Sequence, residues 1–337
     1  VEHFRFITNQ VNSIEYNTMK LKSKLLTLSV AASSLMLSTF SANAEHPTYE
    51  RVSGVSGNLN SIGSNTLTVV LQLLAEGFQN AYPNVNIQIQ GAGSGTAPAA
   101  LIDGTAQIGP MSRGIRPAES DAFEARYGYK PTQIAIGVDA LAVFVHRDNP
   151  IEGLSLPQVD AIFSSTNRLG NNPIRSWGEA GLSGDWAQRR ISIYGRNSVS
   201  GTYGVFRNIA LGGGDFDGSR YQEMPGSSAV VQAIGEDRFG IGYSGIGYLT
   251  PGTRAIKLGA AAGGELFDAT PENAATGDYP LSRLLFLYIN KAPNEPLDTL
   301  TAEFLRYTLS AEGQAIVERA GFFSLPGEFA TEQRNQL

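Results

Sequence analysis

IAIGVDALAVFVH, residues 134–146, is the longest strand signal in the chain and the segment from which the fold is read. It is an apolar run too regular to be a loop. Asp139 interrupts it. A carboxylate among apolar neighbours must be partnered. It either contacts a ligand or holds a crossover between two lobes. On either side, strand-like and helix-like segments alternate. Upstream, residues 67–81 carry apolar side chains at helical spacing and end before Pro83. VNIQIQ at 85–90 alternates as a half-buried strand does. A short helix is expected at 98–103 and a short strand at 106–109. Downstream, helices are expected at 156–163, 202–211, 227–237, 299–310 and 311–320, with strands at 191–194, 240–243 and 284–290. Strands alternating with helices predict an α/β protein.

The chain has 337 residues, 42% of them hydrophobic, with a net charge of −6 and no cysteine. Its length favours two domains over one. The missing cysteines exclude disulfides, thiolate metal sites, a cysteine nucleophile and a lipid-modified cysteine. The histidines His3, His46 and His146 are scattered, which argues against a metal site. An acidic balance argues against nucleic acid as a partner.

Residues 19–44, MKLKSKLLTLSVAASSLMLSTFSANA, have the form of a secretory signal. Lys20, Lys22 and Lys24 make a basic start, residues 25–37 an apolar stretch, and the final Ala-Asn-Ala a cleavage site. Residues 1–18 carry no pattern and are expected to lie upstream of a true start at Met19. The mature protein would then hold 21 basic and 29 acidic residues, a net of −8. It would be exported, soluble, and periplasmic or secreted.

A small motif recurs. Ser94-Gly95-Thr96 and Ser200-Gly201-Thr202 each follow a strand and precede a helix, and Gly63-Ser64-Asn65-Thr66 also opens a helix. Helix starts leave backbone N–H groups free and favour an anion, to which hydroxyls add donors. Simple N-capping is the competing explanation for each loop. Arg196 lies four residues before Ser200, and Arg113 follows another short strand. Each could grip a tetrahedral oxyanion with a bidentate fork, or merely form a surface salt bridge. No nucleophile elbow, Walker-type phosphate loop or zinc-protease helix is present.

The chain resembles the phosphate-binding subunits of phosphate ABC importers, the PstS-type periplasmic binding proteins. The resemblance rests on GSNT (63–66), GAGSGT (91–96), IGPMSR (108–113), VDALAVFV (138–145), Asn149-Pro150, Ile162-Phe163, Trp177, RNSVSGT (196–202), LFLYINK (285–291) and LSAEGQ (309–314). It implies the two-lobed type II periplasmic binding fold, with hinge strands and a ligand clamped in an interlobe cleft. Residues 45–140 and 284–337 would form one lobe and 141–283 the other. The implied ligand is inorganic phosphate, bound without metal or other cofactor by a monomer that docks on a membrane ABC permease.

Carried over by motif, the site would comprise Ser64, Thr66, the Leu67 N–H, Ser94, the Gly95 N–H, Arg196 as charge clamp, Ser200, Gly201 and Thr202. One departure stands out. Family members place an Asp after the third strand, where it accepts the phosphate proton; here Ser112 or Arg113 occupies that position. Arg113 could supply a second cation. The departure keeps open another tetrahedral oxyanion, such as sulfate, molybdate or tungstate. A secreted phosphatase or a phosphate sensor on the same scaffold are the remaining alternatives.

Overall fold

The computed structural model describes residues 45–337. The expected leader at 19–44 and the segment 1–18 lie outside the described residues. The chain begins with β1 (Gly57–Ile62), a 3-10 turn (Asn65–Leu67), α1 (Thr68–Ala81), β2 (Val85–Gln90), a second 3-10 turn (Ser94–Thr96), α2 (Ala97–Ile102), β3 (Ile108–Met111) and α3 (Pro117–Tyr127). Then comes β4 (Thr132–His146), which contains the apolar run. It is followed by β5 (Gly153–Ser155), α4 (Leu156–Phe163), β6 (Ser192–Arg196), α5 (Gly201–Ala210), β7 (Tyr221–Met224), α6 (Ser227–Glu236), β8 (Gly240–Gly245), β9 (Thr253–Ala255) and β10 (Lys257–Gly259). The chain ends with α7 (Pro271–Thr276), β11 (Ser282–Ile289), α8 (Thr299–Thr308), α9 (Ala311–Arg319) and α10 (Gly327–Arg334).

One long strand organises two lobes. The main sheet runs β2-β1-β3-β11-β4-β8-β6-β7, with β9 also on β4. β1 is parallel to β2 and β3, and β6 is parallel to β7 and β8. β4 joins these two parallel groups. Its residues from Thr132 to Ala140 pair antiparallel with β11, and those from Leu141 to Val145 pair with β8. The strand therefore changes partner between Ala140 and Leu141. A separate apolar core lies on each side of that change. One gathers Leu71, Phe78, Ile134, Leu287 and Phe304; the other gathers Val143, Phe163, Trp177, Phe206 and Tyr243. The central residues of β4 are buried on both faces, so the strand reads as a continuous apolar run rather than an alternating one.

Asp139 sits next to the change of partner, fully buried, and directly opposite Arg283 at the start of β11. Arg283 Nε and Nη2 donate to its Oδ2 at 3.0 and 2.6 Å. Through this pair Asp139 holds the crossover.

Local charge clusters pin the loops. Asp217 accepts from Ser219 Oγ at 2.5 Å, Arg220 Nε at 2.7 Å and Arg175 Nη1 at 3.2 Å. Burial alone would raise its carboxyl, but the Ser219 and Arg220 hydrogen bonds outweigh that and hold it down at about 2. The ordinary value is 3.8, so this network stabilises the fold above about pH 4 and loses that contribution as pH falls through about 2. Asp217→Asn should lower stability by about 2 kcal/mol at neutral pH. Chemical denaturation across pH 2–7 should show wild type and variant converging at the acid end. A gap that is constant with pH would contradict the network.

Candidate functional site

Every loop of interest leaves the carboxyl end of a strand. In the first lobe β1 lies between β2 and β3, and in the second β6 lies between β7 and β8. Loops leaving such central strands diverge to opposite sides and open a crevice at the sheet end, where α/β sheets bind ligands. The loops after β1, β2 and β3 and the loop after β6 meet there, so the site is built from both lobes.

The contact between lobes is close and polar. Thr66 and Thr202 share a hydroxyl hydrogen bond of 2.8 Å, and both are buried. Ser94 Oγ accepts from the Ser112 N–H at 3.1 Å and lies 3.3 Å from Ser112 Oγ. Gly201 packs on this serine pair so tightly that a Cβ there would lie 2.4 Å from Ser94 Oγ and 2.7 Å from Ser112 Oγ. Gly93, with φ +115°, brings its loop against Val199, whose backbone oxygen would lie 3.0 Å from any added Cβ.

Arg196 is the electrostatic centre. It is buried, and no carboxylate among the described residues lies within 4.0 Å of its guanidinium. Its Nη1 donates to Ser227 Oγ at 2.9 Å and to Asn65 Oδ1 at 3.4 Å, while its buried Nε has no hydrogen-bond partner. Burial lowers its pKa, and the positive charge of Arg283 adds to that effect. Asn65 also accepts from the Ser227 N–H at 2.9 Å, and the Tyr248 hydroxyl donates to the carbonyls of Asn65 and Thr66, each at 3.0 Å. These bonds join the first lobe to the second beside the arginine.

Of the residues carried over by motif, the structure sets Thr66 against Thr202, and Ser94 and Ser112 against Gly201, with Arg196 joined to Asn65 beside Thr66. It corrects two of the expected roles. The Gly95 N–H donates to the Val199 carbonyl at 3.0 Å, so it clasps the opposite lobe instead of remaining a free donor. Arg113 forks onto Glu119, with Nη1 and Nη2 donating at 2.8 and 2.6 Å, and Nη1 also donates to the Gly114 carbonyl. Burial would raise Glu119, but the Arg113 hydrogen bond and the Arg116 N–H hold it below the usual carboxylate range. The Arg113 charge is therefore cancelled within its own lobe, and it is not a second free cation. Ser64 uses its N–H on the Pro110 carbonyl at 2.7 Å. The Leu67 side chain is fully buried in the core, which leaves only its backbone for a ligand. The capping explanation holds for Ser200, whose Oγ accepts from the Tyr203 N–H at 3.4 Å, but the Ser64 side chain caps no turn and Ser94 Oγ accepts instead from the Ser112 N–H.

Four participants escaped the sequence reading: Asn65, Ser227, Tyr248 and Arg283. Asn65 stood inside the GSNT motif but looked like one more capping residue. Arg283 carried a usable signal, since it is a lone arginine opening one apolar strand while Asp139 is a lone carboxylate inside another.

Comparison with known proteins identifies the chain's relatives. Residues 48–312 match the model of the PBP superfamily domain. The chain is 48% identical over 322 residues to the phosphate-binding protein PstS of Pseudomonas aeruginosa, covering 95% of this chain and 99% of the relative. It is 26% identical to PstS of Staphylococcus haemolyticus, covering 84% of this chain and 86% of the relative. In fold, it is similar to an ABC-type phosphate transport receptor from Vibrio cholerae, with a TM-score of 0.61 at 22% identity, covering 79% of this chain and all of that one. With a superfamily domain over most of its length and nearly half its residues shared with a full-length relative, the chain belongs to the PBP superfamily and to the PstS family within it.

Proposed function

We propose that this protein is an extracytoplasmic solute-binding protein that captures inorganic phosphate between its two lobes and hands it to a membrane ABC importer. The observation that carries this reading is Arg196, a buried guanidinium with no carboxylate partner and an unused Nε–H, bonded to the Ser227 hydroxyl of one lobe and the Asn65 amide oxygen of the other. A buried cation needs a counter-charge, and an oxyanion supplies one together with acceptors for the surrounding donors. The names of its relatives support the same ligand. Ser64, Thr66, the Leu67 N–H, Ser94, Ser112, Arg196, Ser200, Gly201 and Thr202 would contribute donors. Residues 45–140 with 284–337 would move as one lobe and 141–283 as the other, hinged at the crossing of β4 and β11. Among the described residues no helix is long and apolar enough to cross a membrane. Delivery would depend on docking to the permease as a monomer.

Isothermal titration of the purified protein with inorganic phosphate tests the reading. One phosphate per chain should bind, and sulfate should bind more weakly under the same conditions. Heat with sulfate or molybdate but none with phosphate would overturn the ligand and leave the fold standing. Hydrolysis of a phosphomonoester would overturn the binding-only role.

A further inference from the structure

Arg283 belongs to none of the motif loops, yet it touches all the parts that must move together. Its Nη1 donates to the Ser112 carbonyl at 3.1 Å, and its Nη2 donates to Thr202 Oγ1 at 3.1 Å as well as to Asp139. A single guanidinium at the crossing of the hinge strands therefore grips a loop of the first lobe and the helix start of the second. Because Thr202 Oγ1 accepts from Arg283, its own hydrogen is directed away from that arginine, toward Thr66 or a bound acceptor.

We propose that Arg283, held by Asp139, is a specificity-determining residue of the anion site, orienting the Thr202 hydroxyl and setting, with Asp139, whether the site prefers a singly or a doubly charged oxyanion. This rests on reading the cleft as an oxyanion site. The local charges support it. Arg113 is cancelled by Glu119 and Arg283 by Asp139, while Arg196 is not cancelled. The site thus presents one net positive charge, which suits a monoanion. Neutralising Asp139 would present two, which suits a dianion. The groups that face Asp139 are Arg283 on β11, the Ile246 N–H just after β8, and the hydroxyls of Tyr248 and Tyr279, whose titration its charge opposes.

The test uses the whole protein and inorganic phosphate. Calorimetry at about pH 5.5 and about pH 8 brackets the second ionisation of inorganic phosphate, so the monoanion dominates at the first and the dianion at the second. The readout is the ratio of the two affinities in wild type, in Asp139→Asn, and in Asp139→Asn/Arg283→Met. Asparagine keeps the shape of Asp139 and an acceptor for Arg283. The single variant should shift the ratio about fivefold toward the alkaline side, and the double variant should return it close to wild type. Sulfate, a dianion at both pH values, should gain affinity in the single variant and lose it again in the double. If thermal melts show the double variant unfolded, Asp139→Asn/Arg283→Gln replaces it. An unmoved ratio in Asp139→Asn, or a shift that the second substitution does not reverse, overturns the proposal. Failure of the underlying reading looks different, because the wild-type protein would then show no phosphate heat at all.

Discussion

Arg196→Met should weaken phosphate binding at least about thirty-fold, a loss of about 2 kcal/mol or more, without lowering the stability of the ligand-free protein. The two halves of this result have one cause. Without an anion, the guanidinium is buried with no carboxylate beside it, and burial already pulls its pKa down. Replacing an uncompensated buried charge by an apolar side chain of similar volume is commonly neutral or stabilising. With an anion bound, the same group becomes a short-range partner in a site screened from water, where truncation removes a charge-assisted fork. Thermal melts with and without phosphate separate the two effects. Wild type should gain melting temperature in proportion to ligand, as mass action requires, and the variant should not. A variant that melts much lower without ligand, yet still gains with phosphate, would show Arg196 to be a structural group.

The outline of the fold was legible because its strongest segments report their own period. The buried hinge strand, the alternating VNIQIQ segment and the helix at 156–163 appear where the spacing of apolar residues puts them. Elements without such a pattern were not visible. β1 offers only Leu59 and Ile62 as apolar residues among Gly, Asn and Ser, and it is a strand because β2 and β3 pair with it on both sides. α3 buries only Phe123, so no stripe betrays it; it forms from Pro117 in the first turn, Glu119 bonding back to the Arg116 N–H, and Gly128 closing the end in a left-handed conformation.

The site divides the same way. Donor residues that sit in a local motif could be found from the motif. What each donor is already bonded to could not, because the partners are distant in sequence. Gly95 meets Val199, Arg113 meets Glu119 across a turn, and Arg283 meets Asp139 from the far end of the chain. Charge shows the limit most clearly. The sequence offered two motif arginines of equal standing, and only the pairing of Arg113 with Glu119 leaves Arg196 as the uncancelled one. A protein whose net charge is −6 can then attract an anion only through this local field, since its overall charge opposes approach.

In the proposed function the lobes close on the anion, and Gly201 is a tight contact between them. Gly201→Ala should reduce phosphate affinity about fivefold or more, by about 1–3 kcal/mol, while leaving each lobe folded. The added methyl would sit 2.4 Å from Ser94 Oγ, 2.7 Å from Ser112 Oγ and 3.0 Å from Ser94 Cβ. Ser94 cannot swing aside cheaply, because it is fully buried and its Oγ accepts from the Ser112 N–H. The clash therefore acts between lobes, and it is relieved by holding them apart. Within its own lobe the substitution is benign, since Gly201 is the first residue of α5 and alanine favours a helix over glycine by up to about 1 kcal/mol. Gly204→Ala on the same helix is the control, because its methyl would meet nothing closer than 3.8 Å. Calorimetry of the two variants, with solution scattering to follow the separation of the lobes, gives the comparison. Gly201→Ala should bind weakly and scatter as a more open particle in phosphate, whereas Gly204→Ala should match wild type in both. Equal affinities for the two variants would mean that the Gly201 contact does not limit closure.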